Sequence, residues 1–187
     1  MVPFRFHPGQ SVLIVVDIQP AFMAAIHEAE RVREHSAFII SIANLLNIPV
    51  LATEQYAARM GGTDEEILRV LPEGCKPIDK MRFSCCGAPG FMEALGATFR
   101  RQVVLVGIET HICVSQTALD LLERGFHVAV CPDAVSARTL ERHKLGMERL
   151  RDSGVMPAHT ESVAYEWLGT AEHPKFRDAL KIVKELT

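Results

Sequence analysis

A chain of 187 residues, 48% apolar and 23% charged with a formal charge of −3, has room for a sizeable core and reads as one domain over 1–187. That balance excludes a basic nucleic-acid binder and an acidic tail, and the apolar runs fall far short of a membrane span. Five irregularly spaced cysteines argue against a disulfide framework, and the opening MVPFRFHPGQ lacks a signal peptide's apolar centre, so a reducing cytoplasm is expected.

Residues 11–16 (SVLIVV) read as a buried strand ending in Asp17. Gln19-Pro20 lead out of it. Ile39, Ile40, Ala43 and Leu46 then put an apolar stripe on a helix over 29–46. After a turn at Asn47-Ile48-Pro49, a second strand over 50–53 runs into Glu54-Gln55-Tyr56. Gly61-Gly62 mark a loop, and Thr63 can cap a short helix through Val70. A weak third strand over 76–80, a loop over 81–87 and a helix over 89–97 follow. The valine-rich run 102–106 is a buried strand that Gly107 breaks. Thr110 can cap the next helix, which stops at Gly125. A fifth strand over 126–131 ends at Cys131 and is closed by Pro132-Asp133. A helix over 139–153, a short strand over 155–158 and helices over 160–168 and 174–186 complete the chain. Strands alternating with helices predict an α/β fold with a mostly parallel sheet.

Parallel strands joined by crossover helices bring their C-terminal ends side by side, and ligands bind there in open α/β sheets. Asp17 follows the first strand, Gln55 the second, Lys80 the third and Cys113 the fourth. A carboxylate can take a thiol proton, and an ammonium can steady both anions, so the set suits an activated nucleophile beside a base. The three groups are expected within about 4–6 Å of one another, the range in which charges shift pKa values strongly. Cys113 also falls in a helix first turn, where the dipole and the lysine are expected to lower its pKa while the aspartate opposes them. Each residue has a plainer reading beside this one. Cys113 suits a small buried core residue, Asp17 a helix cap, Lys80 a solvated loop lysine, and the pair of them a structural ion pair.

The segments VVDIQ (15–19), TEQY (53–56), KMRFS (80–84) and VGIETHICV (106–114), in this order, resemble the isochorismatase-like cysteine hydrolases. The stretch from Pro132-Asp133 to GTAEHPKF (169–176) is similar to the isochorismatase domain-containing proteins and their bacterial relatives. The resemblance implies a three-layer αβα, Rossmann-like fold with a six-stranded sheet. It implies Asp17 as general acid/base, Lys80 as electrostatic partner and Cys113 as nucleophile. It also implies a cis peptide between Ile108 and Glu109, which turns a backbone N–H toward an oxyanion hole shared with the Cys113 N–H. Nicotinamidases of the superfamily carry an Asp and two histidines after the second strand that bind a metal. Here that place reads Glu54-Gln55-Tyr56-Ala57, so no metal and no cofactor is expected. Members that protonate a vinyl ether from the aspartate lack the cysteine, and Cys113 is present here.

The expected activity is cleavage of a small amide or imide C–N bond through a thioester on Cys113, by a likewise family-implied homo-oligomer acting on a small-molecule substrate, with no nucleic acid and no membrane as partner. Gln19, Phe22, Gln55, Tyr56, Phe83, Ile108 and His111 are expected to line the substrate pocket, with core packing the plainer reading of Phe22 and Phe83. The remaining histidines show no ligand spacing and read as surface residues. A non-catalytic interaction protein retaining the fold, or a thiol redox protein using Cys113, Cys85, Cys86 or Cys131, are the alternatives.

Overall fold

The computed structural model describes residues 5–186. Its sheet has six strands in the order β3-β2-β1-β4-β5-β6. These are β1 (Ser11–Val16), β2 (Val50–Gln55), β3 (Ile78–Lys80), β4 (Gln102–Ile108), β5 (His127–Ser136) and β6 (Met156–Pro157). Every pairing is parallel, so the expectation of a mostly parallel sheet understates its uniformity. The chain winds outward from β1 to β3, returns to β4 beside β1, and winds the other way to β6. The switch point therefore lies between β1 and β4, whose residues are all buried, and both strands are rich in Val, Ile and Leu because both of their faces are covered.

Alternate residues of these strands feed two cores. Leu13, Val15, Val104 and Val106 pack with Ile39, Ile42 and Trp167. These partners come from α2 (Ala29–Leu45) and α8 (Thr160–Leu168). Val12, Ile14, Val103 and Leu105 pack with Leu95, Leu121 and Leu150 on the other face. Those come from α5 (Phe91–Ala97), α6 (Ser115–Glu123) and α7 (Leu140–Asp152). Helix α9 (Phe176–Glu185) lies beside α2, and three short helices complete the set: α1 (Pro20–Met23), α3 (Ala57–Met60) and α4 (Glu65–Val70).

Four local expectations are corrected. Asp64, not Thr63, caps α4, accepting from Glu66 N at 3.0 Å, while Thr63 N and Oγ1 both donate to Glu54 Oε1 at 2.7 Å. Gly107 does not break β4. It stays in the strand at φ +110°, because β1 comes so close that a Cβ there would meet Val16 O at 2.1 Å. β5 does not end at Cys131. It shifts register, so that Val130 pairs with Leu105 and Val135 with Gly107, and Pro132-Asp133 ride in the offset. Thr110 does not cap the helix after β4 through its side chain. Thr110–Val114 form a π-helical turn, with Val114 N reaching back to Glu109 O at 3.3 Å and Thr110 Oγ1 facing His143 Nδ1 at 3.0 Å.

Candidate active site

The end of β1 sets the first group. Asp17 adopts left-handed φ 52°, a conformation short polar residues tolerate, and its side chain is 3% exposed. Thr53 Oγ1, near the end of β2, donates to Asp17 Oδ1 at 2.8 Å. Lys80, closing β3, brings Nζ to 2.7 Å from Oδ2, with its own side chain 0% exposed. That ion pair is the contact made by Oδ2, the oxygen that Thr53 does not reach.

Lys80 is held from several sides. Nζ meets Gln55 Oε1 at 2.6 Å, Phe83 O at 3.0 Å, Arg82 O at 3.3 Å and Cys113 Sγ at 3.5 Å. An ammonium has only three donor hydrogens, so its capacity is spent inside the protein. Burial alone would pull its pKa down, but the charges of Asp17 and Cys113 and the Asp17 hydrogen bond outweigh that and hold it above the usual lysine value. The cation is thus fixed between carboxylate and sulfur.

Cys113 sits in the π-helical turn just past β4, after a cis Ile108–Glu109 peptide. The turn is backed by α7, where a Cβ on Gly146 would stand 3.1 Å from His111 Cα. The thiol does not have the lowered pKa expected from the helix dipole and Lys80. Burial and then the Asp17 charge push it far above the ordinary cysteine value, with Lys80 only partly opposing. The Asp17 carboxyl is also raised, by burial first, against the pull of Lys80 and Thr53. The resting site is therefore a thiol beside a carboxylate of enhanced basicity, the two titrating as a coupled unit.

A pocket of ≈ 370 Å³, including its open mouth, reaches this cluster. Asp17, Phe22, Gln55, Phe83, Ile108, Glu109, Ile112 and Cys113 line it. Four expected lining residues, Phe22, Gln55, Phe83 and Ile108, are thus in place; Ile112 is an addition. Three are not in the lining. Gln19 is wholly buried and clamps β1 to β2, its Oε1 accepting from Gln55 N at 2.7 Å and its Nε2 donating to Gly61 O at 2.7 Å. Tyr56 opens α3 in a left-handed conformation, and His111 lies under α7. Glu109 gives its carboxylate to Arg138, whose Nε and backbone N both stand 3.1 Å from Oε2.

Of the other cysteines, Cys85 is the nearest to the cluster, its Sγ 3.5 Å from Thr53 Oγ1. Its thiol is pushed up to about 11 by burial and by Asp17. Cys131 lies wholly buried inside β5 and not at a strand end, and all five cysteines are free thiols. Among the histidines, the surface reading holds for His159 and fails for the half-buried His35, and the two meet at Asp133.

This doubly wound parallel sheet, with a polar cluster at its switch point, defines an α/β protein with a ligand site at the C-terminal edge of its strands. The sequence profile of the isochorismatase domain matches residues 11–162. The secreted isochorismatase effector Isc1 of Phytophthora sojae is 38% identical over 185 residues, covering 97% of this chain and 88% of the relative. Isochorismatase domain-containing protein 2A of Mus musculus is 36% identical over 182 residues, covering 97% and 86%. The solved structure of MAR1 ribonuclease from Caenorhabditis elegans has a TM-score of 0.92 to this chain, with 34% identity over 97% of this chain and 93% of that one. The chain belongs to the isochorismatase family, and a hydrolase-type function goes with that membership. Among the described residues, no helix is long and apolar enough to cross a membrane.

Proposed function

We propose that this protein is a cysteine hydrolase that cleaves a small amide- or imide-type C–N bond through a thioester on Cys113. The observation that carries the reading is the position of Lys80 Nζ, 2.7 Å from Asp17 Oδ2 and 3.5 Å from Cys113 Sγ, at a pocket both other groups line.

Because the resting thiol is protonated, attack and proton transfer go together. Asp17 takes the S–H proton as the C–S bond forms, and the carbonyl electron pair moves onto oxygen. The backbone N–H groups of Glu109 and Cys113 receive that oxyanion. The C–N bond then breaks, and Asp17 passes its proton to the departing nitrogen. In the second half Asp17 takes a proton from water, and the resulting hydroxide attacks the thioester carbonyl. The C–S bond breaks, and Asp17 returns the proton to the sulfur. Lys80 keeps its proton throughout and balances whichever of its two neighbours is anionic. No cofactor is called for, since a thiol with its own base supplies nucleophile and proton shuttle. Phe22, Phe83, Ile108 and Ile112 make the walls apolar, which suits a small neutral carbonyl compound.

The test is turnover of a panel of small amides and imides by the wild-type protein and by Cys113→Ala and Asp17→Asn, with single-stranded RNA as a further arm because of the C. elegans relative. The expected result is amide or imide hydrolysis that both substitutions abolish. RNA cleavage that survives Cys113→Ala, with no amide turnover, overturns the reading.

A further inference from the structure

A second cluster lies where α2, β5 and α8 meet. His35 comes from α2, Asp133 from the register shift of β5, and His159 is the N-cap residue of α8. Asp133 Oδ2 stands 3.0 Å from His35 Nδ1 and 3.5 Å from His159 Nε2. The three donor atoms all lie within 4.8 Å of one another. A tetrahedral zinc ion with bonds of 2.0–2.1 Å separates its ligand atoms by about 3.3 Å and holds two imidazole ring centres about 5 Å apart. Here the rings are 5.5 Å apart at 89°.

We propose that His35, Asp133 and His159 form a second binding site on this chain, for a divalent transition-metal ion of the zinc class. Two imidazoles and one carboxylate suit zinc, nickel or copper and suit magnesium or calcium poorly. The set is close to the required spacing without rearrangement of the backbone. The carboxylate is already oriented, since Thr160 N donates to both of its oxygens at 3.1 Å and Thr160 Oγ1 donates to Oδ2. The His159 side chain is 51% exposed, so the ion can enter from solvent and complete its coordination with water.

The opposing costs are specific. His159 Nδ1 accepts from Glu161 N at 3.2 Å, which puts the neutral ring's proton on Nε2. Binding moves that proton to Nδ1 and gives up the Glu161 contact, which water replaces at an exposed helix end. His35 likewise carries its proton on Nε2 in the bound form. No net proton is released, and two N–H···O contacts become two metal bonds. The positive end of α8 disfavours a cation, and the Asp133 charge counters it.

The experiment is calorimetric titration of the full chain with zinc chloride, with cobalt(II) absorption as a spectroscopic reading of the same site. One equivalent is expected to bind and to raise the unfolding midpoint, and cobalt is expected to give the intense visible bands of tetrahedral coordination. His159→Gln, at a half-exposed position, is expected to weaken binding by about 100-fold, as is His35→Gln if it folds. Cys113→Ala is expected to bind as wild type. Absence of zinc uptake, or uptake that survives His159→Gln and disappears with a cysteine substitution, overturns the proposal and leaves the cluster as a hydrogen-bonded cap on α8.

Discussion

Asp17, at the exit of β1, and Asp133, in the offset of β5, are both carboxylates largely out of solvent, with side chains 3% and 9% exposed. Burial is the largest influence on each and pushes each up. Yet Asp17 ends above the ordinary carboxylate value and Asp133 below it. The difference is in directed donors. Asp133 receives Thr160 N–H, Thr160 O–H and His35, three donors aimed at its anionic form. Asp17 receives Thr53 O–H and a lysine whose capacity is shared among four further acceptors. One carboxylate has its anionic form held by directed donors and takes no part in the proposed hydrolysis. The other keeps an oxygen open beside a thiol, and the proposed chemistry needs that oxygen.

The largest effects should separate the two aspartates. Asp17→Asn is expected to lower kcat/KM by about 10³–10⁴, because the base and proton carrier is gone. Asp133→Asn is expected to leave kcat/KM within about twofold and to cost about 1–3 kcal/mol of stability through the weakened cap on α8. Steady-state kinetics with urea unfolding of the same two variants reads both quantities. Equal kinetic losses in the two variants would erase the distinction.

A smaller effect sharpens it. Attack requires ionised Asp17, so kcat/KM should rise with pH along a limb that lies above the ordinary carboxylate range. Thr53→Val removes a donor that favours the anion. The limb should then move to higher pH with a loss of about tenfold at neutral pH, and Thr53→Ser should restore both. A pH–rate profile of the three proteins decides this, and an unmoved limb in Thr53→Val contradicts it.

The smallest effect concerns Asp133 in acid. Its folded-state pKa is below the unfolded value, so its contribution to stability is complete above the unfolded value and is lost as pH falls through the lowered folded value. Unfolding curves taken downward from about pH 5 should therefore fall less steeply for Asp133→Asn than for wild type. Asp17 contributes with the opposite sign, because its folded pKa is raised: its ionisation weighs against the fold as pH rises through the window between its unfolded and folded values.

Much of this arrangement is legible in the sequence, for a physical reason. Apolar runs that stop at Asp17 and a few residues before Cys113 mark strand ends, and a parallel sheet must gather such ends on one edge. Less legible are features set by the approach of distant segments. Gly107 looks like a strand breaker, but it is the residue that lets β4 lie against Val16. The π-helical turn around Cys113 has the same apolar spacing as an ordinary first turn. Gln19 has a pocket residue's position, yet both ends of its amide are taken by backbone groups. The meeting of His35, Asp133 and His159 leaves no spacing to read, since the three come from separate elements. The raised thiol pKa is not legible either, because dipole and lysine are visible in the sequence while the depth of burial is not.

The central claim is that Cys113 carries the acyl group. Rapid-quench intact-mass analysis of the enzyme with an activated small amide or ester, followed by peptide mapping, measures this directly. The account predicts one acyl adduct per chain on Cys113 that forms and decays at rates compatible with turnover, and none in Cys113→Ala, which should retain the wild-type unfolding midpoint. Turnover without any adduct at Cys113, or undiminished in Cys113→Ala, would contradict it.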